Sequence, residues 1–284
     1  MGTTTMTSGS PTVAQWQLAR ELKRLRSEHK MNRTEVAKIL EVTVSSVSRW
    51  ESAERVPREK ELKQLAQYYH LSSQESDELV NLRRQAGKRG WWQSFDLEKR
   101  YGTFIGLEAD ATEIEIYESS VITGLLHTPN YAREVIRGTL QAGEPVDGQV
   151  EVRLARQQRV LDENGPEVCV VLGEAAIRQL VGGRQIMREQ LQHLIELIDH
   201  PKVTLQVIPF SAGVHIGLLM PNFVILTLAD FRLSTVYLEG QASNLFLDSH
   251  EDVARHKLAF KKLRSAGVSG NLAQSLLADV IKEL

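Results

Sequence analysis

The chain has 284 residues, of which 42% are hydrophobic and 25% are charged, a composition typical of a globular protein with one or two cores. Its single cysteine, Cys169, excludes an internal disulfide and a cysteine-based metal cluster. No apolar run reaches the roughly 20 residues that a membrane-spanning helix needs, and the N-terminal residues lack the pattern of a secretory signal. We therefore expect a cytoplasmic protein.

Charge is distributed unevenly along the chain. Residues 1–90 carry 16 basic and 11 acidic side chains, a net charge of +5, whereas the remaining residues carry 18 basic and 25 acidic ones, a net charge of −7. A basic segment attached to an acidic one indicates that the first third of the chain meets a polyanion.

The N-terminal third predicts a series of helices. Residues 1–12 are rich in Thr, Ser and Gly and predict a disordered tail. Asn32, followed three residues later by Glu35, is typical of a helix N-terminus, and the helix that it begins is expected to end at Leu40. The first helix is predicted to start at Val13 because apolar residues recur from there at near-helical spacing: Trp16, Leu18, Leu22 and Leu25.

The segment EVTVSSVSRWE, residues 41–51, alternates like a strand but lies between helical segments with no room for a strand partner. If residues 41–42 form a tight turn, Thr43 becomes the N-cap of a third helix, with Val47 and Trp50 facing inward. The outward residues are short, polar or basic, as in a helix that enters a DNA major groove: Val44, Ser45, Ser46, Ser48 and Arg49.

Two more helices are predicted, one after Pro57 and one from Gln74 to Ala86. The helices of residues 13–86 resemble the Xre/Cro-like helix-turn-helix family. The alternative is a small helical domain that uses a common turn without binding DNA. The residues that carry the resemblance are Asn32 to Ala37, Leu40 to Thr43, Ser46 to Glu51, and Pro57.

This resemblance implies specific contacts with DNA. Arg33 would contact a phosphate, Thr43 would lie near the DNA backbone, and residues 44–49 would read bases. Two residues depart from the family pattern: Glu41 stands where a glycine in a left-handed turn is usual, which implies slight strain, and Val44 replaces a polar base reader. The expected DNA-binding set is Asn32, Arg33, Thr43, Val44, Ser45, Ser46, Ser48, Arg49 and Arg55.

Residues 87–103 are expected to form a linker in which Trp91 and Trp92 dock onto a domain or a second subunit. Residues 104–284 are expected to form a mixed α/β (α+β) domain, with helices flanking a central mixed sheet and one right-handed strand-helix-strand crossover. Its last two predicted strands form an antiparallel meander. The strands are predicted at residues 112–118, 167–172, 202–210, 222–228 and 234–240, and the helices after Pro129 and at residues 146–161, 188–198, 250–267 and 271–284.

This second domain resembles the C-terminal domain of uncharacterised function in WhiJ-like regulators of actinobacteria. The resemblance implies a transcription regulator that is often encoded beside a small partner protein, and it supplies no ligand or catalytic residue. The segments that carry it are Phe104 to Ala109, Gly124 to Ala132, Arg153 to Gln158, Met187 to Leu191, and Val207 to Gly213.

No constellation of catalytic residues is recognisable in the sequence, so we expect no enzyme activity, no cofactor and no metal. Phosphate loops, nucleophile elbows and zinc-binding His pairs are missing, and Cys169 lies in an apolar strand. His215, in a glycine-flanked loop, is a weak candidate for ligand binding, against a plain hinged connection. Arg153 and Arg156 are weak candidates for an anion site, against a solvated helix face.

The sequence therefore predicts a DNA-binding transcription regulator, located in the cytoplasm with the nucleoid. A homodimer on a palindromic site is expected, because one helix-turn-helix contacts only a few base pairs. The C-terminal domain is expected to bind a ligand or a small partner protein, to dimerise, or both. Two alternatives remain open: an enzyme fused to a DNA-binding module, and a protein-interaction scaffold.

Overall fold

The computed structural model describes residues 10–95, 97–139, 146–231, 233–240 and 244–284. The chain divides into two compact units, a helical unit that ends at Asp110 and a sheet unit that begins at Ala111. The sequence-based boundary, at residue 104, differs because it cuts through a helix that packs on the first helix of the chain.

Six α-helices are described in the helical unit. A short 3-10 helix, Trp91–Ser94, lies between the fifth and the sixth. The helices are α1 (Pro11–Glu28), α2 (Arg33–Ile39), α3 (Val44–Glu51), α4 (Glu59–Tyr68), α5 (Ser73–Ala86) and α6 (Lys99–Glu108).

Side-chain caps begin five of these six helices, and the caps at Asn32 and Thr43 are predicted from the sequence. Asn32 and Glu35 form the complete capping box of α2, and Thr43 accepts a hydrogen bond from the Ser46 amide at the start of α3. The predicted start of α1 was wrong by two residues, because Ser10 is its N-cap and Pro11 occupies its first turn. The predicted tail therefore reaches at most residue 9, and residues 1–9 lie outside the described residues.

The core of the helical unit joins its first five helices. Trp50 and Val47 of α3 are buried, as predicted, against leucines of α1, α4 and α5. Because burying a large apolar side chain stabilises a fold by about 1.5–3 kcal/mol, this core holds α3 in place from beneath. The fully buried members include Leu18, Leu22, Leu25, Leu62, Leu65 and Leu79.

Four turns of the helical unit use left-handed residues that are not glycine. Lys30, Glu41, Ala53 and His70 have φ angles of 53° to 55°. The strained turn predicted at Glu41 is confirmed. A left-handed conformation costs a non-glycine residue about 1–2 kcal/mol, so the helix packing has to hold these turns.

Trp92 is buried within the helical unit, where it packs against α6. A Cβ atom at Gly106 would come within 2.7 Å of the Trp92 ring and within 2.1 Å of the Thr12 hydroxyl. Gly106 is therefore required for close approach. The segment around the two tryptophans is docked onto the helical unit rather than extended.

The sheet unit contains a mixed sheet with helices on it, as the sequence predicts. The described strands are β1 (Glu113–Glu118), β2 (Glu167–Gly173), β3 (Val203–Ile208), β4 (Phe223–Leu228), β5 (Leu233–Leu238), β6 (Leu245–Leu247) and β7 (Val268–Ser269). They lie in the order β6-β5-β4-β1-β2-β3-β7, whereas the sequence predicts five strands and no overall order. Its helices are α7 (Pro129–Thr139), α8 (Val146–Val160), α9 (Glu174–Arg178), α10 (Arg184–Ile198), α11 (His250–Ala266) and α12 (Asn271–Glu283).

Strands β1, β2 and β3 are parallel neighbours, and β4 pairs antiparallel with β1. The expectation of one crossover was wrong, because β1 to β2 and β2 to β3 each need a helical connection to run parallel. The predicted meander is confirmed and gains a third strand, β6. The carboxyl ends of β1 and β3 and the start of β4 consequently lie at one edge of the sheet.

The described residues include no helix that combines the length and apolar character needed to cross a bilayer.

Candidate nucleic-acid interface

One face of α3 is exposed and polar, whereas the opposite face is packed in the core. Val47 and Trp50 are 2% and 5% exposed, and Ser45 and Arg49 are exposed one helical turn apart. The Arg49 Nη2 lies 3.4 Å from the Ser45 Oγ. Val44, 43% exposed, adds an apolar contact point at the start of the same helix.

Hydroxyl groups cluster at the N-terminus of α3. The Thr43 Oγ1 accepts from the Ser46 amide at 3.2 Å and lies 3.0 Å from the Ser45 Oγ and 2.9 Å from the Ser46 Oγ. A hydroxyl both donates and accepts and can rotate. This cluster can therefore exchange its internal hydrogen bonds for bonds to phosphate oxygens or base edges.

Asn32 and Arg33, at the start of α2, are already engaged within the protein. The Asn32 Oδ1 accepts from the Glu35 amide at 3.0 Å, so this side chain serves as a helix cap. The Arg33 Nε donates to the Glu51 Oε2 at 2.8 Å, while the Arg33 side chain stays 45% exposed. Glu51 therefore orients Arg33 without burying it.

Glu51 links the first three helices, a role that the sequence did not reveal. Its side chain is 3% exposed and accepts from the Arg26 Nε at 2.5 Å and the Arg26 Nη2 at 3.1 Å. The Arg26 Nη1 also donates to the Met31 carbonyl at 2.9 Å. Burial acts to raise the pKa of Glu51, but hydrogen bonds from Arg26 and Arg33 outweigh it and hold the pKa below its usual value.

An open cleft of about 220 Å³ lies beside the N-terminus of α3. Arg55 and Arg58 line it together with Thr43 and Ser46, and both arginines are exposed. The Arg49 carbonyl accepts from the Arg55 amide at 3.1 Å, which fixes this turn on the end of α3. Sequence reasoning missed Arg58, although the pair of arginines flanking Val56 and Pro57 was a readable signal.

The structure thus brings seven of the nine predicted residues onto or beside α3, and it places the other two at the start of α2. This face offers hydroxyls, guanidinium groups and one apolar side chain, Val44, the chemistry that contacts phosphates and base edges. The seven are Thr43, Val44, Ser45, Ser46, Ser48, Arg49 and Arg55.

The weak candidates Arg153 and Arg156 do not form a solvated face. Arg156 is 6% exposed, and the Arg153 Nη1 lies 3.0 Å from the His127 Nδ1. Burial, with the Arg153 charge adding to it, lowers the pKa of His127 to about 3. A neutral His127 accepts from Arg153 and donates from Nε2 to the Ile122 carbonyl at 2.6 Å.

The segment between β1 and α7, which contains His127, is a loop that two glutamine side chains hold in place. The Gln157 Nε2 donates to the carbonyls of Gly124 and His127 at 2.9 and 2.8 Å. Gln190, fully buried, donates to the Leu126 carbonyl and accepts from the Thr128 amide, both at 2.7 Å. These bonds satisfy buried backbone groups, so they anchor the loop to α8 and α10.

Glu118, at the end of β1, is a partly buried carboxyl with an amide partner. The Asn222 Nδ2 donates to it, and the Asn222 Oδ1 accepts from the Ser119 amide at 3.0 Å. Burial raises the pKa of Glu118 to about 8; the Glu239 charge adds to this shift, and the Arg153 charge opposes it. Glu118 is therefore largely protonated at neutral pH.

His215, the third weak candidate, lies in another segment, the loop between β3 and β4. It is half-buried, and its buried Nδ1 has no hydrogen-bond partner among the described residues. No described hydrogen bond joins it to Arg153 or Arg156, so these three candidates are not brought together into one site by direct bonds.

Within the described part of the chain, no group of three His, Cys, Asp or Glu side chains is placed to hold a metal ion. Burial raises the pKa of the Cys169 thiol to about 11, which keeps it protonated.

A short helix packed from beneath, with its polar face outward and a second helix before it, defines a helix-turn-helix protein. In agreement, residues 17–79 match a family model described as a helix-turn-helix domain. Residues 101–279 match the model of a domain of unknown function, DUF5753, and the chain belongs to that family. No curated protein and no solved structure matches the chain.

Proposed function

We propose that this protein is a transcription regulator of the Xre/Cro type that binds specific DNA sequences in the cytoplasm, in association with the nucleoid. The observation that carries the proposal is the exposed face of α3, from Val44 to Arg49, held from below by Val47 and Trp50. A helix-turn-helix domain in the chain points to the same partner.

In this proposal, α3 enters the major groove. Arg49 is the residue suited to a bidentate contact with guanine, the serine hydroxyls bond to bases or phosphates, and Val44 rests on a thymine methyl. Arg33 and Arg55, with Arg58 added by the cleft, approach phosphates on either side. These phosphate contacts fix the position of the protein along the duplex.

We further propose that two copies bind a palindromic operator through a two-fold axis. The two α3 helices would then lie about 34 Å apart, one turn of DNA, so that each reads one half-site. In this proposal the sheet unit supports the arrangement by self-association or by holding a ligand or a small partner protein. The WhiJ-like regulators that its sequence resembles are often encoded beside a small partner protein. The sheet unit has no catalytic role in this proposal.

The test is genomic footprinting with the full-length protein, followed by titration of the recovered site at several salt concentrations. We expect a discrete palindromic footprint and an affinity that falls steeply with salt. Arg55→Ala should weaken binding to all sequences alike and flatten the salt slope by about one. Arg84→Ala is the matched control, because this exposed arginine lies on α5, which contributes no residue to the exposed face of α3 or to the cleft beside it.

A protein that protects no genomic site, and whose binding to random DNA is the same for wild type, Arg55→Ala and Arg84→Ala, would contradict the proposal. Equal losses for Arg55→Ala and Arg84→Ala would show a general effect of charge rather than an oriented interface.

A further inference from the structure

The loop between β3 and β4 exposes large apolar side chains to an unusual degree. We name residues 210–220 the apolar loop. Phe210 is 65% exposed, Val214 95%, Leu218 63% and Leu219 91%. Single exposed apolar residues are ordinary, but four within eleven residues form a patch of the kind that marks interaction sites.

The apolar loop is a built surface, fixed to the sheet unit from beneath. Tyr117 donates from its hydroxyl to the Gly217 carbonyl at 3.1 Å, and the Phe210 amide donates to the Glu174 Oε2 at 2.6 Å. Ile216 and Met220 pack into the core formed with α11. The neighbours of these anchored residues, Leu218 and Leu219 among them, point outward.

The distribution of charge indicates what kind of surface the apolar loop would bind. Residues 111–284 carry 16 basic and 21 acidic side chains, a net charge of −5, whereas residues 203–229 contain no charged side chain. In a two-fold contact a surface patch meets the same patch of the other copy, so charges of one sign within that patch repel each other. A charge-free stretch is where an acidic unit can meet a second copy of itself, and a charged partner gains nothing there.

The size of the patch is also consistent with self-association. At about 150–200 Å² for a large apolar residue, the four exposed side chains present on the order of 500 Å². A standard interface buries about 800 Å² per partner, so this patch supplies more than half of it.

Other described surfaces offer no comparable patch. Among the described residues of the helical unit, only Val44 and Tyr68 are exposed large apolar residues, and Val44 belongs to the proposed DNA face. In the sheet unit, the other exposed large apolar residues are distant in sequence from one another: Leu180, Leu245, Leu258 and Leu272.

We infer that the apolar loop is the surface through which two copies of this chain associate. The inference rests on the proposed function, since a palindromic operator requires two copies. Leu218 and Leu219 form the centre of the contact, with Val214 and Phe210 beside them.

The test is sedimentation velocity of the full-length protein without DNA, over a range of micromolar concentrations. We expect a dimer for the wild type and, for Leu219→Glu, a dissociation constant raised about 100-fold or more, because an unpaired carboxylate would be buried in an apolar contact. Val214→Glu should do the same, and it cannot disturb the core since Val214 is 95% exposed. Leu272→Glu, at a residue 67% exposed on α12, is the matched control and should leave the dimer intact.

Three results would overturn the inference: a monomeric wild type, dimers of unchanged affinity for both loop variants, or an equal loss in Leu272→Glu. Binding to a single DNA half-site distinguishes failure of this inference from failure of the proposed function. A monomeric Leu219→Glu that still binds a half-site supports both ideas, whereas a wild-type dimer that binds no DNA would refute the proposed function alone.

Discussion

The two units place polar and apolar groups in opposite ways. The helical unit exposes hydroxyls and Arg49 on α3 and buries its apolar residues beneath them. The sheet unit buries His127, Arg156 and Gln190 and exposes the leucines of the apolar loop. A polar face suits a charged polymer, and an apolar face suits a protein surface. This contrast is the basis for proposing that the helical unit recognises DNA and that the sheet unit mediates assembly.

Two carboxyl groups with little exposure, one in each unit, also differ in the direction of their pKa shift. Glu51 in the helical unit is bound by two arginines, and its pKa lies below the usual value. Glu118 in the sheet unit has the Asn222 amide as its hydrogen-bond donor, and its pKa is raised to about 8. The partner, rather than burial alone, decides whether a carboxyl group is charged.

The largest expected effect comes from removing the charge that joins α1, α2 and α3. Glu51→Ala should lower the free energy of unfolding by about 3 kcal/mol, because Arg26 would stay partly buried without its partner. All four tryptophans lie in the helical unit, so urea unfolding followed by tryptophan fluorescence reports on that unit. Glu59→Ala, which removes an exposed pair with Lys63, should cost much less than Glu51→Ala, because exposed ion pairs add little stability. Equal losses for the two variants would refute the assigned role of Glu51.

The next effect is a dependence of the sheet unit on pH. An unfolded glutamate loses its proton near pH 4.5, whereas folded Glu118 keeps it to about pH 8, so the unit should lose stability between these values. The loss is at most about 1.4 kcal/mol per pH unit. Glu118→Gln should remove this slope and raise stability at pH 8, as measured by hydrogen exchange of the β1 amides. His127 contributes the opposite slope below pH 6.5, because the folded state keeps it neutral.

The prediction is contradicted if the stability of Glu118→Gln falls between pH 6.5 and 8 as steeply as that of the wild type. In that case Glu118 would be ionised in the folded protein, and the contrast with Glu51 would disappear.

The smallest expected effect concerns the turn before α3. Glu41→Gly should relieve the left-handed strain, but the added freedom of the unfolded chain offsets part of that gain. We expect a net stabilisation of about 0.5 kcal/mol in the same fluorescence assay. Lys38→Gly, inside α2, is the control and should destabilise by about 1 kcal/mol. A clear loss of stability in Glu41→Gly would show that the turn is unstrained.

The helical unit could be predicted closely because its signals are local. The caps at Asn32 and Thr43 define helix starts within a few residues of sequence, and Val47 and Trp50 mark the buried face of α3. The contacts that could not be predicted join residues that are distant in sequence. Glu51 meets Arg26 across 25 residues, and no local pattern shows that contact.

The sheet unit was predicted in outline and missed in detail. Strands with continuous apolar runs were found, but β6 and β7 have three and two residues and carry no readable alternation. The sequence also gave no sign that Arg156 is buried, because its spacing from Arg153 is equally typical of a solvated helix face. Helix α6, which contains Gly102 and Gly106, was not predicted as a helix at all, since glycine disfavours helices.

The most direct measurement of the central claim is the base-pair preference of α3. Each base pair of the footprinted half-site is substituted in turn, and the affinities of wild type, Arg49→Ala and Arg84→Ala are compared. If Arg49 reads a base, Arg49→Ala should lose about 1–3 kcal/mol on the preferred site and lose discrimination at one G·C pair, while Arg84→Ala keeps the wild-type profile. An Arg49→Ala protein with an unchanged profile would contradict the claim that α3 reads the DNA sequence.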